Sequence, residues 1–263
     1  MLEIKQLNNS QFSSLLDALR REDWYIEKVA LESLFDIFSD DFFIAYKNNS
    51  IVGFIVALRY TEKFGFISNF VILKKFRSKG YGKILFEHAL AHLNTRQIAL
   101  DVDKKQENFY KKYDFKTYYI NSYYKHFIKI RIKDSTFKQT GITDKLQKKD
   151  IQAYTEKIIS KKYAHYIQKV LDDKNTLFRA LYKNKTLLAY AFCTQYKDGY
   201  KCIVSASTYE EVSILYFHLC NAIKLNTHIY IEVTSLESNV LKLVDLLKMK
   251  EVSQRKRMYN KIL

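Results

Sequence analysis

A loop that combines glycines with basic residues lies between an apolar run and an amphipathic stretch at residues 70–90, FVILKKFRSKGYGKILFEHAL. The apolar run predicts a strand that ends near Leu73, and the spacing of the later apolar residues predicts a helix that begins at about Tyr81. The start of a helix leaves several backbone N–H groups without partners, and glycines let a ligand approach the backbone closely. Lys and Arg side chains add positive charge at the same point. The loop therefore predicts a site that holds a pyrophosphate mainly through backbone amides.

Two common phosphate-binding loops do not fit this run. The P-loop pattern G-x-x-x-x-G-K-[ST] is absent from the sequence, and the Rossmann fingerprint would need a third glycine. The strand before the loop also follows a predicted hairpin instead of opening a strand–helix–strand unit. What remains is the pattern R-x-x-G-x-G, from Arg77 to Gly82, directly after a strand.

The elements that position this loop follow from the hydrophobic periodicity. The first 130 residues predict two helices, a strand hairpin, the strand and helix on either side of the loop, and then a strand, a short helix and aromatic-rich strand segments. In chain order these are Phe12–Arg21, Ala30–Phe38, Phe42–Tyr46, Ile51–Tyr60, Phe66–Leu73, Tyr81–Leu93, Gln97–Val102, Glu107–Tyr113 and Phe115–Phe127. This order indicates the α+β class, with a mixed sheet and flanking helices.

The second half of the chain repeats this order. Gly53–Phe64 overlays Ala189–Tyr200 at an offset of 136 residues, whereas residues 84–90 (ILFEHAL) overlay residues 214–220 (ILYFHLC) at an offset of 130. The offset falls between these two points because the second copy is shorter at the loop that carries RSKGYG in the first. The repeat therefore predicts two related domains, of which only the first has the pyrophosphate loop.

The domain boundaries follow from the repeat and from composition. We expect a first domain at residues 1–130, a polar and lysine-rich linker region at residues 131–150, and a second domain at residues 151–263. A helix at Ile151–Leu171 is expected to open the second domain.

Charge and cysteine usage limit the compartment and the partners. Of the net charge of +16, residues 131–263 carry +11, which favours polyanions such as CoA or nucleic acid, or else forms a solvated lysine-rich face.

No apolar run is long enough for a membrane span, and the first residues lack a signal-peptide pattern, so we expect a cytoplasmic protein with no membrane partner. Cys193, Cys202 and Cys220 lack metal-ligand spacing, and we expect buried free thiols and no metal.

Two segments resemble one known family. Arg77-Ser78-Lys79-Gly80-Tyr81-Gly82 resembles the acyl-CoA-binding motif of the GNAT superfamily of N-acetyltransferases. In that family the motif joins the fourth strand to the third helix; here it lies between the predicted strand Phe66–Leu73 and the third predicted helix. Asn108-Phe109-Tyr110-Lys111-Lys112-Tyr113-Asp114-Phe115 is similar to a family segment that follows the fifth strand. The second half resembles the C-terminal domain of two-domain members. The resemblance implies tandem GNAT-like domains, each with a mostly antiparallel central sheet flanked by helices, and acetyl-CoA as the co-substrate.

The resemblance also implies roles for individual residues. Tyr110 would protonate the departing CoA thiolate. Backbone groups at the end of the fourth strand would pair with the pantetheine arm, and those of the loop would bind the pyrophosphate. The cofactor-binding residues implied are Val71, Ile72, Leu73, Arg77, Ser78, Lys79, Gly80, Tyr81, Gly82, Lys83 and Asn108.

The sequence departs from the family pattern at two points. Family members often carry a glutamate base on the fourth strand, where this sequence has Ser68 and Asn69. Glu62, just before that strand, is the candidate to replace it, with Glu32 on the second helix as another; both can also be surface carboxylates. Asp114 stands where the family usually has glycine.

The predicted function is an acetyl-CoA-dependent N-acetyltransferase. It would transfer an acetyl or other acyl group to a primary amine of a small molecule or protein by direct attack on the thioester. Two alternatives stay open: an acetyltransferase associated with nucleic acid or directed at aminoacyl-RNA, and a CoA-binding module without catalysis. The sequence does not identify the amine acceptor, the general base, the acyl-chain preference or the oligomeric state.

Overall fold

The computed structural model describes residues 2–22, 24–25, 27–131, 141–145 and 147–261. Its strands are β1 (Glu3–Gln6), β2 (Phe42–Lys47), β3 (Ser50–Arg59), β4 (Phe64–Ile72), β5 (Gln97–Val102), β6 (Lys116–Ile128), β7 (Ile142–Thr143), β8 (Leu177–Lys183), β9 (Thr186–Tyr196), β10 (Gly199–Ser205), β11 (Thr227–Thr234) and β12 (Lys250–Tyr259). Its α-helices are α1 (Phe12–Arg21), α2 (Lys28–Ile37), α3 (Tyr81–Leu93), α4 (Glu107–Lys111), α5 (Lys148–Ile158), α6 (Lys161–Asp172), α7 (Tyr209–Ala222) and α8 (Ser238–Leu246).

The chain forms two compact units. The first consists of Met1–Tyr118 with Lys256–Leu263, and the second of Tyr119–Arg255. The sheet of the first unit has the order β1-β2-β3-β4-β5 followed by the end of β12, and the sheet of the second has the order β6-β11-β10-β9-β8-β7. Only β4–β5 and β10–β11 are parallel among the pairs described within the units. The α+β class with tandem, mostly antiparallel sheets is confirmed.

Each unit takes one strand from the other half of the chain. Strand β6 follows α4 directly, yet its residues Asn121–Ile128 pair with β11 in the second unit. Strand β12 is the last in the chain, yet its residues Lys256–Tyr259 pair with β5 in the first unit. The units therefore differ from the expected domains at residues 1–130 and 151–263. A local pattern of alternating residues marks a strand but does not specify its partner.

The start of the second half also differs from expectation. Residues 132–140 of the expected linker region lie outside the described residues, and α5 begins at Lys148. The single helix expected at Ile151–Leu171 is divided into α5 and α6. Ser160 divides it, because its backbone is extended and its hydroxyl oxygen accepts a hydrogen bond from the N–H of Tyr163 at 3.2 Å, which caps α6.

Helices cover both faces of the first unit's sheet. Phe43 packs in one core with Phe86 and Ala89 of α3. Successive residues of a strand point to opposite faces, so Phe42 lies on the other face, where its ring is 5.0 Å from that of Phe35 in α2. Helix α3 therefore covers one face and α2 the other, which leaves the ends of the strands to form a site.

The second unit has the same two-sided arrangement. Helix α7 packs on the face that carries Ala191 and Cys193, and α6 packs on the face that carries Tyr190 and Phe192. All three cysteines are buried and free. None of the described helices is long and apolar enough to cross a membrane. The described residues contain no group of three or more His, Cys, Asp or Glu side chains that could hold a metal ion.

Candidate active site

Strands β4 and β5 separate halfway along β4. They pair in parallel only from Phe64 to Ile67, opposite Gln97 to Leu100, although β4 continues to Ile72. Asn69 lies just beyond the paired part with a φ of 47°, and the register between β3 and β4 shifts at the same level. Such a bulge bends a strand away from its neighbour. Within the described part of the chain no strand pairs with the outer edge of β4 beyond Ile67, so a cleft opens there.

The backbone at the end of β4 points alternately into the sheet and into this cleft. The N–H of Leu73 donates to the carbonyl of Val52 at 2.9 Å, and the carbonyl of Leu73 accepts from the N–H of Phe76 at 2.8 Å. Because alternate residues direct their peptide groups to opposite sides, those of Val71 point toward β3, whereas those of Phe70 and Ile72 point into the cleft. The peptide groups of Val71 and Leu73 are thus directed within the sheet or the following turn, whereas those of Ile72 face the cleft. The expected ligand contacts of these three residues stay predictions.

The glycine loop joins this strand to the start of α3. Its backbone takes the left-handed conformation at Ser78 (φ 60°) and Gly80 (φ 78°), and α3 begins at Tyr81, as the sequence predicted. Among the described residues, none accepts a hydrogen bond from the backbone N–H groups of residues 78–83. A Cβ built on Gly80 would meet no atom within 4 Å, so the space beside this residue is open. The loop therefore offers a row of unpartnered amides at a helix start, as expected for an anion site.

The side chains of the loop give this site a positive rim. The Nζ of Lys79 donates to the carbonyl of Lys75 at 3.1 Å, which places the ammonium beside the loop. Lys83 forms an exposed ion pair with Glu87 at 3.8 Å, and the rings of Tyr81 and Phe76 are 6.2 Å apart. Arg77 turns back toward the strand, where its Nε donates to the carbonyl of Ile72 at 2.8 Å and its guanidinium pairs with Glu22.

A cavity of about 480 Å³ lies beside the end of β4. Its lining consists of Glu22, Trp24, Phe70, Val71, Ile72, Arg77, Lys105, Gln106, Phe109 and Tyr110. The rings of Phe70 and Phe109 lie 6.1 Å apart and form an aromatic wall. Sequence reasoning did not identify Glu22, Trp24, Lys105 or Gln106, because no motif marks them and only the fold brings them to β4.

Tyr110 is the titratable residue of this cavity with a strongly shifted pKa. Its ring packs edge-on against Phe86 at 5.3 Å and Phe109 at 5.1 Å. Burial, with a smaller contribution from the charge of Asp103, raises the pKa of Tyr110 to about 12. Its hydroxyl makes no hydrogen bond to any residue that the structure describes. Tyr110 is therefore protonated at neutral pH and is able to donate its proton to a group in the cavity. Asn108, two positions earlier, lies on the exposed side of α4.

The candidate bases do not lie in the cavity. The side chain of Glu62 is 98% exposed and pairs with Arg96 at 3.2 Å. It precedes β4, whose length places it about 25 Å from Ile72 at the other end of the strand. Glu62 is therefore not part of the site, contrary to expectation. Glu32 forms a partly exposed ion pair with Lys28 at 3.6 Å, which also fits a surface carboxylate. Asn69 donates to the hydroxyl of its neighbour Ser68 at 3.3 Å.

In the second unit the corresponding strands also separate, but the start of the following helix is capped by a side chain. Strands β10 and β11 pair in parallel only from Gly199 to Cys202, opposite His228 to Ile231. Three residues join β10 to α7, against eight between β4 and α3. The carboxylate of Glu211 accepts from the N–H groups of Ser207 at 2.9 Å and Thr208 at 3.0 Å. The start of α7 is thus satisfied by a side chain of its own, and the expected absence of the pyrophosphate loop agrees with this geometry.

Comparisons with known proteins agree with the fold. The sequence profile of the Acetyltransferase (GNAT) family matches residues 2–115. Holothin acyltransferase of Pseudoalteromonas sp. is 31% identical over 101 residues, which cover 38% of this chain and 34% of that protein. The chain therefore aligns with about one third of the length of that relative.

Solved structures resemble the whole chain. A putative acetyltransferase from Pyrococcus horikoshii superposes with a TM-score of 0.76 at 15% identity, over 98% of this chain and 88% of the other. A tandem GNAT protein from the clavulanic acid biosynthesis pathway superposes with a TM-score of 0.66 at 10% identity, over 100% of both chains. At such identities the likeness concerns the fold, and it supports the tandem arrangement. Residues 2–115, less than half of this chain, are thus similar in sequence to the Acetyltransferase (GNAT) family, and the chain as a whole shares the fold of tandem GNAT proteins.

Proposed function

We propose that the first unit binds acetyl-CoA in the cleft beside β4 and transfers its acetyl group to a primary amine. The observation that carries this proposal is a set of polar groups at the start of α3 and in the cavity beside the end of β4. It begins with the free N–H groups of residues 78–83, continues with the peptide groups of Ile72 and Phe70, and ends at the hydroxyl of Tyr110. An anion site, a strand edge and a proton donor in this order suit a ligand with a pyrophosphate at one end and a thioester at the other.

Each part of the cleft then has a task. The N–H groups of residues 78–83 hold the pyrophosphate, and the peptide groups of Ile72 align the amide-containing arm along the strand edge. The thioester supplies an activated acyl group, and attack by the amine places negative charge on its carbonyl oxygen. The N–H of Phe70 points to the cleft and stabilises this charge. Tyr110 gives its proton to the sulfur as the carbon–sulfur bond breaks, the acylated nitrogen loses its extra proton to water, and a proton from water then restores Tyr110.

The acceptor is proposed to be a primary amine of a small molecule or a protein. The relative that is 31% identical over 101 residues is a holothin acyltransferase, so holothin belongs in the first acceptor panel. Spermidine, single amino acids and lysine-containing peptides complete that panel. Release of the CoA thiol, with the acylated product identified by mass spectrometry, measures transfer for each amine.

The Tyr110→Phe variant tests the role of the proton donor. It removes a hydroxyl that has no described partner, so the fold should be retained. We expect the kcat to fall about 100-fold, the lower range for loss of a general acid, while the affinity for acetyl-CoA changes less than about twofold. Tyr113→Phe is the matched control, because Tyr113 lies on the same segment and its hydroxyl donates to Glu87 at 3.4 Å. An unchanged kcat in Tyr110→Phe would contradict the role of Tyr110. A wild-type protein that neither binds nor turns over acetyl-CoA would contradict the function.

A further inference from the structure

One ion pair connects two walls of the cavity in the first unit. Glu22 lies at the end of α1, and Arg77 lies in the glycine loop. The Nη2 of Arg77 contacts the carboxylate of Glu22, and its Nε donates to the carbonyl of Ile72 at 2.8 Å. The guanidinium therefore lies between Ile72 on one wall and Glu22 on the other. All three residues line the cavity.

The two partners differ in their exposure. The side chain of Glu22 is 13% exposed and that of Arg77 is 44% exposed. A carboxylate with little access to water depends on its ionic partner more than a surface carboxylate does. Glu22 therefore holds the Arg77 side chain at the carbonyl of Ile72.

This arrangement affects the ligand, if the proposed function is correct. The peptide group of Ile72 faces the cleft and is the group proposed to align the pantetheine arm. A guanidinium fixed against its carbonyl occupies part of that path. Arg77 also precedes the amides proposed for the pyrophosphate by one residue, so a guanidinium released from Glu22 can pair with a phosphate instead.

We propose that Glu22 is a positioning residue that holds Arg77 across the cavity, and that binding of acyl-CoA exchanges this carboxylate for a phosphate of the ligand. The exchange opposes binding, because it separates an existing ion pair. It also connects binding to the segment after α1, where Trp24 lines the same cavity. Glu22 and Trp24 lie outside the two segments that resemble the GNAT family, so this ion pair and its neighbour are features of this chain's own sequence.

The Glu22→Gln variant tests the exchange. Glutamine keeps the shape of the side chain and removes its charge, so Arg77 can turn toward the ligand without first separating an ion pair. Separating one partly exposed ion pair changes an equilibrium constant by about fivefold or less. We therefore expect the dissociation constant for acetyl-CoA to fall about three- to fivefold in this variant. We also expect faster association. Trp24 is the only tryptophan of the chain, so stopped-flow fluorescence gives the association rate and calorimetry gives the affinity.

Two further variants separate the positioning role from a general charge effect. Glu32→Gln removes a carboxylate from α2, outside the cavity, and should leave both quantities unchanged. Glu22→Asp keeps the charge on a shorter side chain and should lie between the wild type and Glu22→Gln. If Glu22→Gln binds acetyl-CoA as the wild type does, or more weakly, the exchange is overturned while the proposed function stands. If the wild type does not bind acetyl-CoA, the proposed function itself fails.

Discussion

The Met258→Ala variant tests whether the C-terminal strand stabilises the unit that carries the site. Met258 is completely buried and packs in one core with Phe86 and Leu100. It lies on β12, more than 130 residues after Tyr118, where the N-terminal segment of that unit ends. Truncation of a buried methionine to alanine costs about 2–5 kcal/mol, because transfer free energy is lost and a cavity remains. The free energy of unfolding of a unit of this size falls by about 2 kcal/mol per M urea. A loss of about 3 kcal/mol in that free energy therefore lowers the urea concentration at the unfolding midpoint by about 1.5 M.

Fluorescence of Trp24 is the assay, because this tryptophan lies in the first unit and is the only one in the chain. Met249→Ala is the matched control: Met249 is 8% exposed and packs in the core of the second unit. We expect Met258→Ala to lower the midpoint of the Trp24 transition more than Met249→Ala does. A Trp24 transition that does not move in Met258→Ala would refute the assignment of β12 to the first unit's core.

Two further predictions concern the segment around α4. The carboxylate of Glu107 lies 2.6 Å from the ammonium of Lys256 and 3.0 Å from that of Lys111, and these hydrogen bonds lower its pKa from 4.5 to about 2. The ionised Glu107 therefore stabilises the fold above pH 4.5, and this contribution is lost as the pH falls toward 2. The melting temperature of Glu107→Gln should therefore lie below the wild-type value at pH 7 and converge with it between pH 4.5 and pH 2; a constant difference would contradict the ion pairs. Asp114 has a φ of 63°, so Asp114→Gly should raise the free energy of unfolding by about 0.5–1 kcal/mol in urea titrations. Lys112→Gly, at a φ of −67°, is the control and should lower it; a loss of stability in both variants would contradict the assignment of strain to Asp114.

The features that the sequence predicted correctly are local. The glycine loop and the bounds of α3 depend on neighbouring residues: the apolar spacing after Tyr81 specifies the helix, and Gly80 permits the left-handed backbone that begins it. The missing loop of the second unit was visible as a change of offset between the two copies. Asp114 departs from the family glycine but keeps the left-handed backbone, which aspartate tolerates better than most residues do.

The features that the sequence did not reveal depend on distant parts of the chain. Strands β6 and β12 have ordinary strand patterns, and nothing in them specifies a partner in the other half. Glu22 and Trp24 reach the cavity only because α1 ends beside the loop. Glu62 was a candidate base because it immediately precedes β4, yet a strand places its two ends far apart, and Glu62 lies at the end away from the cavity.

Calorimetric titration of the protein with acetyl-CoA tests the central claim most directly. The wild type should bind, and Gly80→Glu should bind at least about tenfold more weakly, because a carboxylate beside the amides of residues 78–83 repels a pyrophosphate and Gly80 has a φ of 78°. Ser207→Glu places the same charge at the start of α7 in the second unit, where Glu211 already caps the helix, and should bind as the wild type does. Equal affinity of Gly80→Glu and wild type, or loss of binding in Ser207→Glu alone, would contradict a cofactor site at this loop.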